Sequence, residues 1–88
     1  MYFLYSKKAN NIYIGCTHNI KKRPEEHNKG FVKSTKNRRP LFLIYQEKYT
    51  TLAAARKRED YLKSLYGVRE RKRIVNENLK MAPYTKTF

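Results

Sequence analysis

Cysteine is almost absent from this chain: Cys16 is the only one in 88 residues. Neither an internal disulfide nor a thiolate zinc cluster can be built, and a reducing compartment suits that count. No apolar run approaches the length of a membrane span, and no hydrophobic leader follows the first residues. The expectation is a cytoplasmic protein with no membrane partner. Acidic residues are scarce as well, seven against 21 lysines and arginines. Seven carboxylates and two histidines supply a two-metal acidic centre poorly. A Ser-His-Asp order, a glycine-rich phosphate loop, internal repeats and low-complexity linkers are all missing.

What is present is positive charge, a formal +14 spread through the whole chain. Such a field attracts polyanions, and nucleic acid is the usual one. An anionic membrane surface ranks lower, because the charge is not gathered on one basic amphipathic helix. Eight tyrosines and four phenylalanines are interleaved with the basic residues. Aromatic faces beside cations suit bases and sugar–phosphate alike. Hydrophobic residues make up 40% of the chain, enough for one modest core. The expected organisation is a single domain over 1–80 and a loosely held tail, "MAPYTKTF", over 81–88.

Residues 2–6, Tyr-Phe-Leu-Tyr-Ser, read as a strand, and the double Asn at 10–11 closes a polar hairpin turn. Residues 12–16 form the next strand, with Ile12 and Ile14 on one face and Tyr13 on the other. Asn19 suits the cap of a helix carrying Ile20 to His27, stopped near Gly30. The stretch "FVKSTKNRRP", 31–40, is a basic loop suited to touching DNA. "LFLIYQ", 41–46, is a near-continuous apolar run and reads as the central strand. Thr50 or Thr51 then caps a helix from Leu52 to Tyr66, with Gly67 as its stop. A last helix covers roughly 68–79. Strands early and helices late make an α+β layer.

The helix at 52–66 carries an anomaly. Its apolar residues span a broad half of the surface at 100° per residue, and Arg58 and Glu59 fall inside that half. Arg58 is long enough to snorkel outward. Glu59 is not, so its carboxylate must be paired, hydrated or bound to a cation. Arg23 and His27, four apart, share one side of a helix if both are helical. Arginine offers a planar fork for phosphate, and histidine exchanges protons near neutral pH. A Mg²⁺ ion that keeps its waters needs only one or two protein carboxylates, so Glu59 alone suffices. A tyrosine hydroxyl can orient water, or deprotonate it beside a cation.

The order of these pieces resembles the GIY-YIG endonuclease domain, and more closely its small stand-alone bacterial-type members. The residues that carry the likeness are "MYFLYSKK", "IYIGCTHNIKKRPEEHN", "KSTKNRRPLFLIYQE" and "AAARKREDYLKS", most of 1–66. Tyr-Ile-Gly is intact at 13–15. It follows a Tyr-bearing strand and precedes Arg, His-Asn and then Arg-Glu-x-x-Leu-Lys. The resemblance implies a small three-stranded antiparallel sheet flanked by helices. It also implies cleavage of DNA, duplex or branched, at one Mg²⁺ or Mn²⁺ ion, in a setting such as repair. On that pattern Tyr2 and Tyr13 hold the two motif tyrosines, and Tyr13 is the general base or water-orienting group. Arg23 holds the attacked phosphate, His27 assists proton transfer or positions the base, and Glu59 is the metal ligand. A supporting asparagine late in the domain falls on Asn78 by spacing, with Asn76 as the other choice.

Two departures stand out. Met1 occupies the place of the first motif's glycine. Pro24 directly follows Arg23, where proline disfavours helical geometry for the residue before it and clashes with the carbonyl four back. Either the helix starts at Pro24, with Glu25 and Glu26 in its first turn, or it is kinked. A displaced Arg23 leaves a non-catalytic nucleic-acid-binding module as the alternative to an endonuclease. A basic module acting on a protein partner ranks third.

Overall fold

Five consecutive buried residues, Tyr2–Ser6, form strand β1. A strand buried along its whole length needs neighbours on both edges and cover on both faces, and β1 has them. In the computed structural model, which describes residues 1–81, β1 pairs antiparallel with Asn11–Gly15 (β2) and with Leu41–Gln46 (β3). The sheet order is β2-β1-β3. The apolar run at 41–46 is therefore an edge strand, and Leu43 is 41% exposed. The polar tips of Tyr2, Tyr5 and Ser6 find partners inside the protein, so β1 is buried despite them.

Alternation sorts the side chains as the pattern of β2 predicts. Phe3 and Ile14 face the helix layer and pack with Met1, Ala55, Leu62 and Ile74. Tyr2 and Leu4 face the other way and pack with Leu41, Tyr13 and Ile20. The first cluster is the main core; fully burying Leu62 there contributes about 1.5–3 kcal/mol. The helices are Arg23–Asn28 (α1), Leu52–Lys63 (α2) and Val68–Met81 (α3). This is the α+β fold that the sequence implied, a three-stranded antiparallel sheet with helices. No helix among the described residues is long and apolar enough to cross a membrane. Of the tail at 81–88, Met81 ends α3, and 82–88 lie outside the described residues.

Two helix ends differ from expectation. Asn19 makes the bonds of a cap, its Oδ1 accepting from the backbone N–H groups of Lys21 and Lys22 and its carbonyl from Arg23 N–H at 3.1 Å, but they close a single turn ahead of α1 rather than a helix from Ile20. Helix α1 begins only at Arg23, one residue ahead of Pro24. Proline in a first turn loses no hydrogen bond, so the helix needs no kink. Helix α2 is capped by Thr51, whose hydroxyl accepts from Ala54 N–H at 3.1 Å. It stops at Lys63 rather than Tyr66. Ser64 turns extended and donates its hydroxyl to the Tyr61 carbonyl at 2.6 Å. A Cβ on Gly67 would stand 2.1 Å from that same carbonyl, so only glycine fits the following 3-10 turn. Leu65 and Tyr66 consequently leave the apolar helix face and lie about nine-tenths exposed.

Candidate active site

The register of the sheet brings two tyrosines together. Tyr2 lies opposite Gly15, and Tyr13 is two residues along the same face of β2. A Cβ at 15 would meet the Tyr2 hydroxyl at 2.8 Å and Tyr13 Cε1 at 2.9 Å. The missing side chain lets the rings approach to 6.2 Å between centroids. Tyr-Ile-Gly thus has a local steric reason: the glycine makes room for the tyrosine two before it and for the one across the ladder.

Helix α1 covers these tyrosines and is fixed by its last residue. Asn28 Nδ2 donates to the Leu41 carbonyl at 2.8 Å, and Asn28 Oδ1 accepts from Leu41 N–H at 2.6 Å. That two-point clamp on β3 holds His27 over the sheet. His27 is wholly buried, 4.9 Å from the Tyr13 ring and 5.9 Å from the Tyr2 ring between centroids. Its Nε2 is 3.0 Å from the Tyr2 hydroxyl, and its Nδ1 is 2.7 Å from Thr35 Oγ1.

The direction of these bonds follows from the partners. The Thr35 hydroxyl donates to the Val32 carbonyl at 3.4 Å, so Thr35 Oγ1 accepts from His27 Nδ1–H. Nε2 then carries the lone pair and accepts from the Tyr2 hydroxyl. Arg23 completes the chain by donating to the Tyr2 oxygen. Burial first, and then the charge of Arg23, lower the imidazole to about 4, so His27 is neutral at pH 7. Burial raises the Tyr2 hydroxyl to about 12 against the opposing effect of Arg23, so Tyr2 keeps its proton. Both ring nitrogens of His27 are engaged. It orients Tyr2 and packs on Tyr13 rather than reaching into solvent.

Tyr13 is the reachable tyrosine. It is half-buried, with the Arg38 guanidinium and the Lys63 ammonium each 5.9 Å from its ring centroid. It borders a cleft of about 810 Å³ that is also lined by Asn11, Lys63, Arg71, Lys72 and Asn76. Arg23 is a third exposed and pairs with Glu26 at 3.0 Å. Pro24 does not part Arg23 from His27, since both engage Tyr2. Five guanidinium N–H groups leave donors over for a phosphate after those two bonds. Asn76 lines the cleft, whereas Asn78 turns back on its own helix and donates to the Ile74 carbonyl at 2.7 Å.

Glu59 resolves its anomaly by pairing. Its carboxylate is 2.6 Å from Lys63 Nζ and accepts from the Cys16 thiol. Burial alone would raise the carboxyl; hydrogen bonds from Cys16 and Lys63 outweigh it and hold the group below its ordinary value. Lys63 pairs with Glu59 and stands over the Tyr13 ring at 5.9 Å from its centroid, so carboxylate and ring stand one side chain apart. Among the described residues no three His, Cys, Asp or Glu side chains converge. A cage for a soft metal is not what these donors make. One ionised, partly exposed carboxylate fits a hard divalent ion that keeps most of its waters. Arg58, expected to snorkel outward, is instead drawn between Glu47 at 3.0 Å and Glu70 at 2.6 Å.

Sequence reasoning missed Asn28, Thr35, Arg38 and Lys63. Asn28 sits in the quoted His-Asn pair, and Lys63 in the quoted Arg-Glu-x-x-Leu-Lys string. Thr35 and Arg38 sit in the quoted string from Lys33, but their roles have no local signal; only folding brings that loop back to His27 and Tyr13.

A small antiparallel sheet that offers two tyrosines to a helix bearing arginine and histidine is the frame of a nuclease domain. The chain belongs to the GIY-YIG family: the model of the GIY-YIG catalytic domain matches residues 1–73. It is 38% identical over 79 residues to UPF0213 proteins of Staphylococcus aureus strains Mu3, Mu50 and N315. Each match covers 86% of this chain and 95% of the relative. No solved structure matches the chain. The family is one of nucleases, and its substrates are nucleic acids.

Proposed function

We propose that this protein is a metal-dependent DNA endonuclease that hydrolyses phosphodiester bonds at the Tyr13–Glu59 edge of the sheet, with residues 1–80 as the catalytic unit. The observation that carries the reading is the convergence of Tyr2, Tyr13, Arg23 and His27, with Glu59 one side chain away. Glu59 would hold one Mg²⁺ or Mn²⁺ ion, which supplies Lewis-acid polarisation of the phosphoryl oxygens when bound. The Tyr13 hydroxyl orients water for attack or, as the phenolate, accepts its proton. Arg23 binds the attacked phosphate, and Arg38 and Lys63 stabilise negative charge developing beside the tyrosine. Tyr2 and His27 act as a relay that fixes Arg23 and the Tyr13 ring, with Thr35 setting the imidazole tautomer. Asn76, from the cleft, is better placed than Asn78 for the supporting role.

A second reading has its own support. Glu59 is already paired with Lys63, and Arg23 with Glu26. A domain that kept those pairs in the presence of DNA would bind without cutting. The test is cleavage of supercoiled plasmid and a branched oligonucleotide with Mg²⁺, Mn²⁺ or EDTA, using the parent and Tyr13→Phe. Cutting that needs the ion and falls by about 10²- to 10⁴-fold in the variant, with DNA binding kept, is the expected outcome. Salt-sensitive binding without cutting under any ion selects the binding module.

A further inference from the structure

The largest apolar groups given to solvent are not scattered. Phe31 is 73% exposed, Leu65 90% and Tyr66 89%. Each stands on a segment that starts from the candidate active site. Phe31 is midway between His27 and Thr35, which are hydrogen-bonded to each other at 2.7 Å under the tyrosines. Leu65 and Tyr66 follow Lys63, whose ammonium lies between Glu59 and the Tyr13 ring. The reach of the chain limits their backbones to at most roughly 7–11 Å from that of Lys63.

Both tips are held by their backbones. The Phe31 N–H donates to the Glu26 carbonyl at 3.0 Å, after Gly30 at φ +83°. The Leu65–Gly67 turn is locked by the contact of Gly67 with the Tyr61 carbonyl. Their neighbours are cationic: Lys29 and Lys33 around Phe31, Lys63 and Arg69 around Leu65 and Tyr66. Apolar tips held by their backbones among lysines and arginines, each on a segment that leaves the candidate active site, complement a polyanion that also carries flat apolar faces.

We propose that Phe31 and the Leu65–Tyr66 tip are base-stacking contacts for unpaired nucleotides flanking the scissile phosphate, so that the preferred partner is single-stranded or locally unpaired nucleic acid. An intact duplex hides its base faces in the stack, and inserting a side chain there costs unstacking energy. Unpaired bases present those faces at no such cost, and each stack is worth roughly 5- to 150-fold in affinity. The proposal rests on the nuclease reading for the position of the scissile phosphate alone.

The experiment is fluorescence anisotropy in EDTA with a forked DNA and a fully paired duplex sharing one labelled strand. The parent, Phe31→Ser, Leu65→Ser/Tyr66→Ser and Tyr66→Phe are compared. The parent is expected to bind the fork at least tenfold more tightly than the duplex. Phe31→Ser and the double Ser variant should each lower that preference at least fivefold with duplex affinity unchanged, and Tyr66→Phe should retain it. All four substitutions are at exposed positions, and circular dichroism checks that the fold is intact. Equal binding of fork and duplex, or Ser variants that keep the parental preference, overturns the proposal. So does a shift from dimer to monomer in sedimentation of the double variant, which would make the tip a self-association surface. Because no cleavage occurs in EDTA, fork preference without cutting in Mg²⁺ refutes the nuclease reading alone, and cutting without fork preference refutes this proposal alone.

Discussion

Arg58 and Glu59 are neighbours on α2 and live in opposite circumstances. Arg58 joins three elements. Its guanidinium donates to both oxygens of Glu47, just past β3, and to both oxygens of Glu70 on α3. Those bonds, to Glu70 and then Glu47, push its ionisation above the usual arginine range. Burial alone would raise the Glu47 carboxyl, but hydrogen bonds from Arg58, Tyr45 and Tyr49 bring it down to about 2. Every charge in that cluster has its partner within the protein. Glu59 has one lysine four residues on and one thiol. A charged cluster that satisfies itself is a strut; one held by a single movable side chain can change partners. The contrast separates Arg58, whose partners are all in place, from Glu59, whose partner can move as the proposed metal role requires.

The largest effect expected is on cleavage by Glu59→Gln. Losing the hard anionic donor should lower the rate by about 10³-fold or more, while the denaturation midpoint moves by less than about 1 kcal/mol. Single-turnover assays beside urea melts check both.

Acid should unfasten the two regions in order. Buried His27 is held at about 4, below its unfolded value of about 6.5, so the unfolded chain takes up that proton first. Its contribution is whole above pH 6.5 and is lost as pH falls toward 4, on the order of 3 kcal/mol. Glu47 loses its contribution only as pH falls from about 4.5 toward 2. Urea melts from pH 7 to 4 should show the first loss, and His27→Gln should flatten it. A flat parental profile over that range would remove the buried neutral imidazole from the account.

Arg58→Met should cost about 2 kcal/mol, since it leaves two partly buried carboxylates without their cation. Cleavage per folded molecule should be unchanged, as scored by active-site titration at low temperature. The smallest effect on stability belongs to Lys63→Met. That i,i+4 pair is half open to solvent on the lysine side and is worth only about 0.3–0.5 kcal/mol of stability. A stability loss equal to that of Arg58→Met would erase the distinction between the clusters.

Local rules carried much of this fold. The three strands lie within a residue of their expected positions, Thr51 caps α2, and Tyr13 faces away from Ile12 and Ile14. Errors came where a non-local partner decided. The polar tips in β1 hid a central strand because Ser6 answers to the Arg38 carbonyl and Tyr2 to His27, both far along the chain. Arg58 looked like a snorkelling residue because Glu47 and Glu70 lie 11 and 12 residues away. Asn19 makes its cap bonds over one turn only, and the regular helix begins at Arg23. The order of the motifs singled out the tyrosines, Arg23, His27 and Glu59 as candidates, and the fold brings Tyr2, Tyr13 and His27 together. The hydroxyl of Thr35 was not, because no spacing rule links it to a histidine eight residues earlier.

The central claim is that Glu59 serves chemistry and Arg58 serves structure. Its most direct test measures the cleavage rate and the urea midpoint of Glu59→Gln on the same preparation with Mg²⁺ or Mn²⁺. The account predicts a protein as stable as the parent that binds DNA and does not cut it. A variant that cuts at the parental rate, or one that fails to fold, would contradict it.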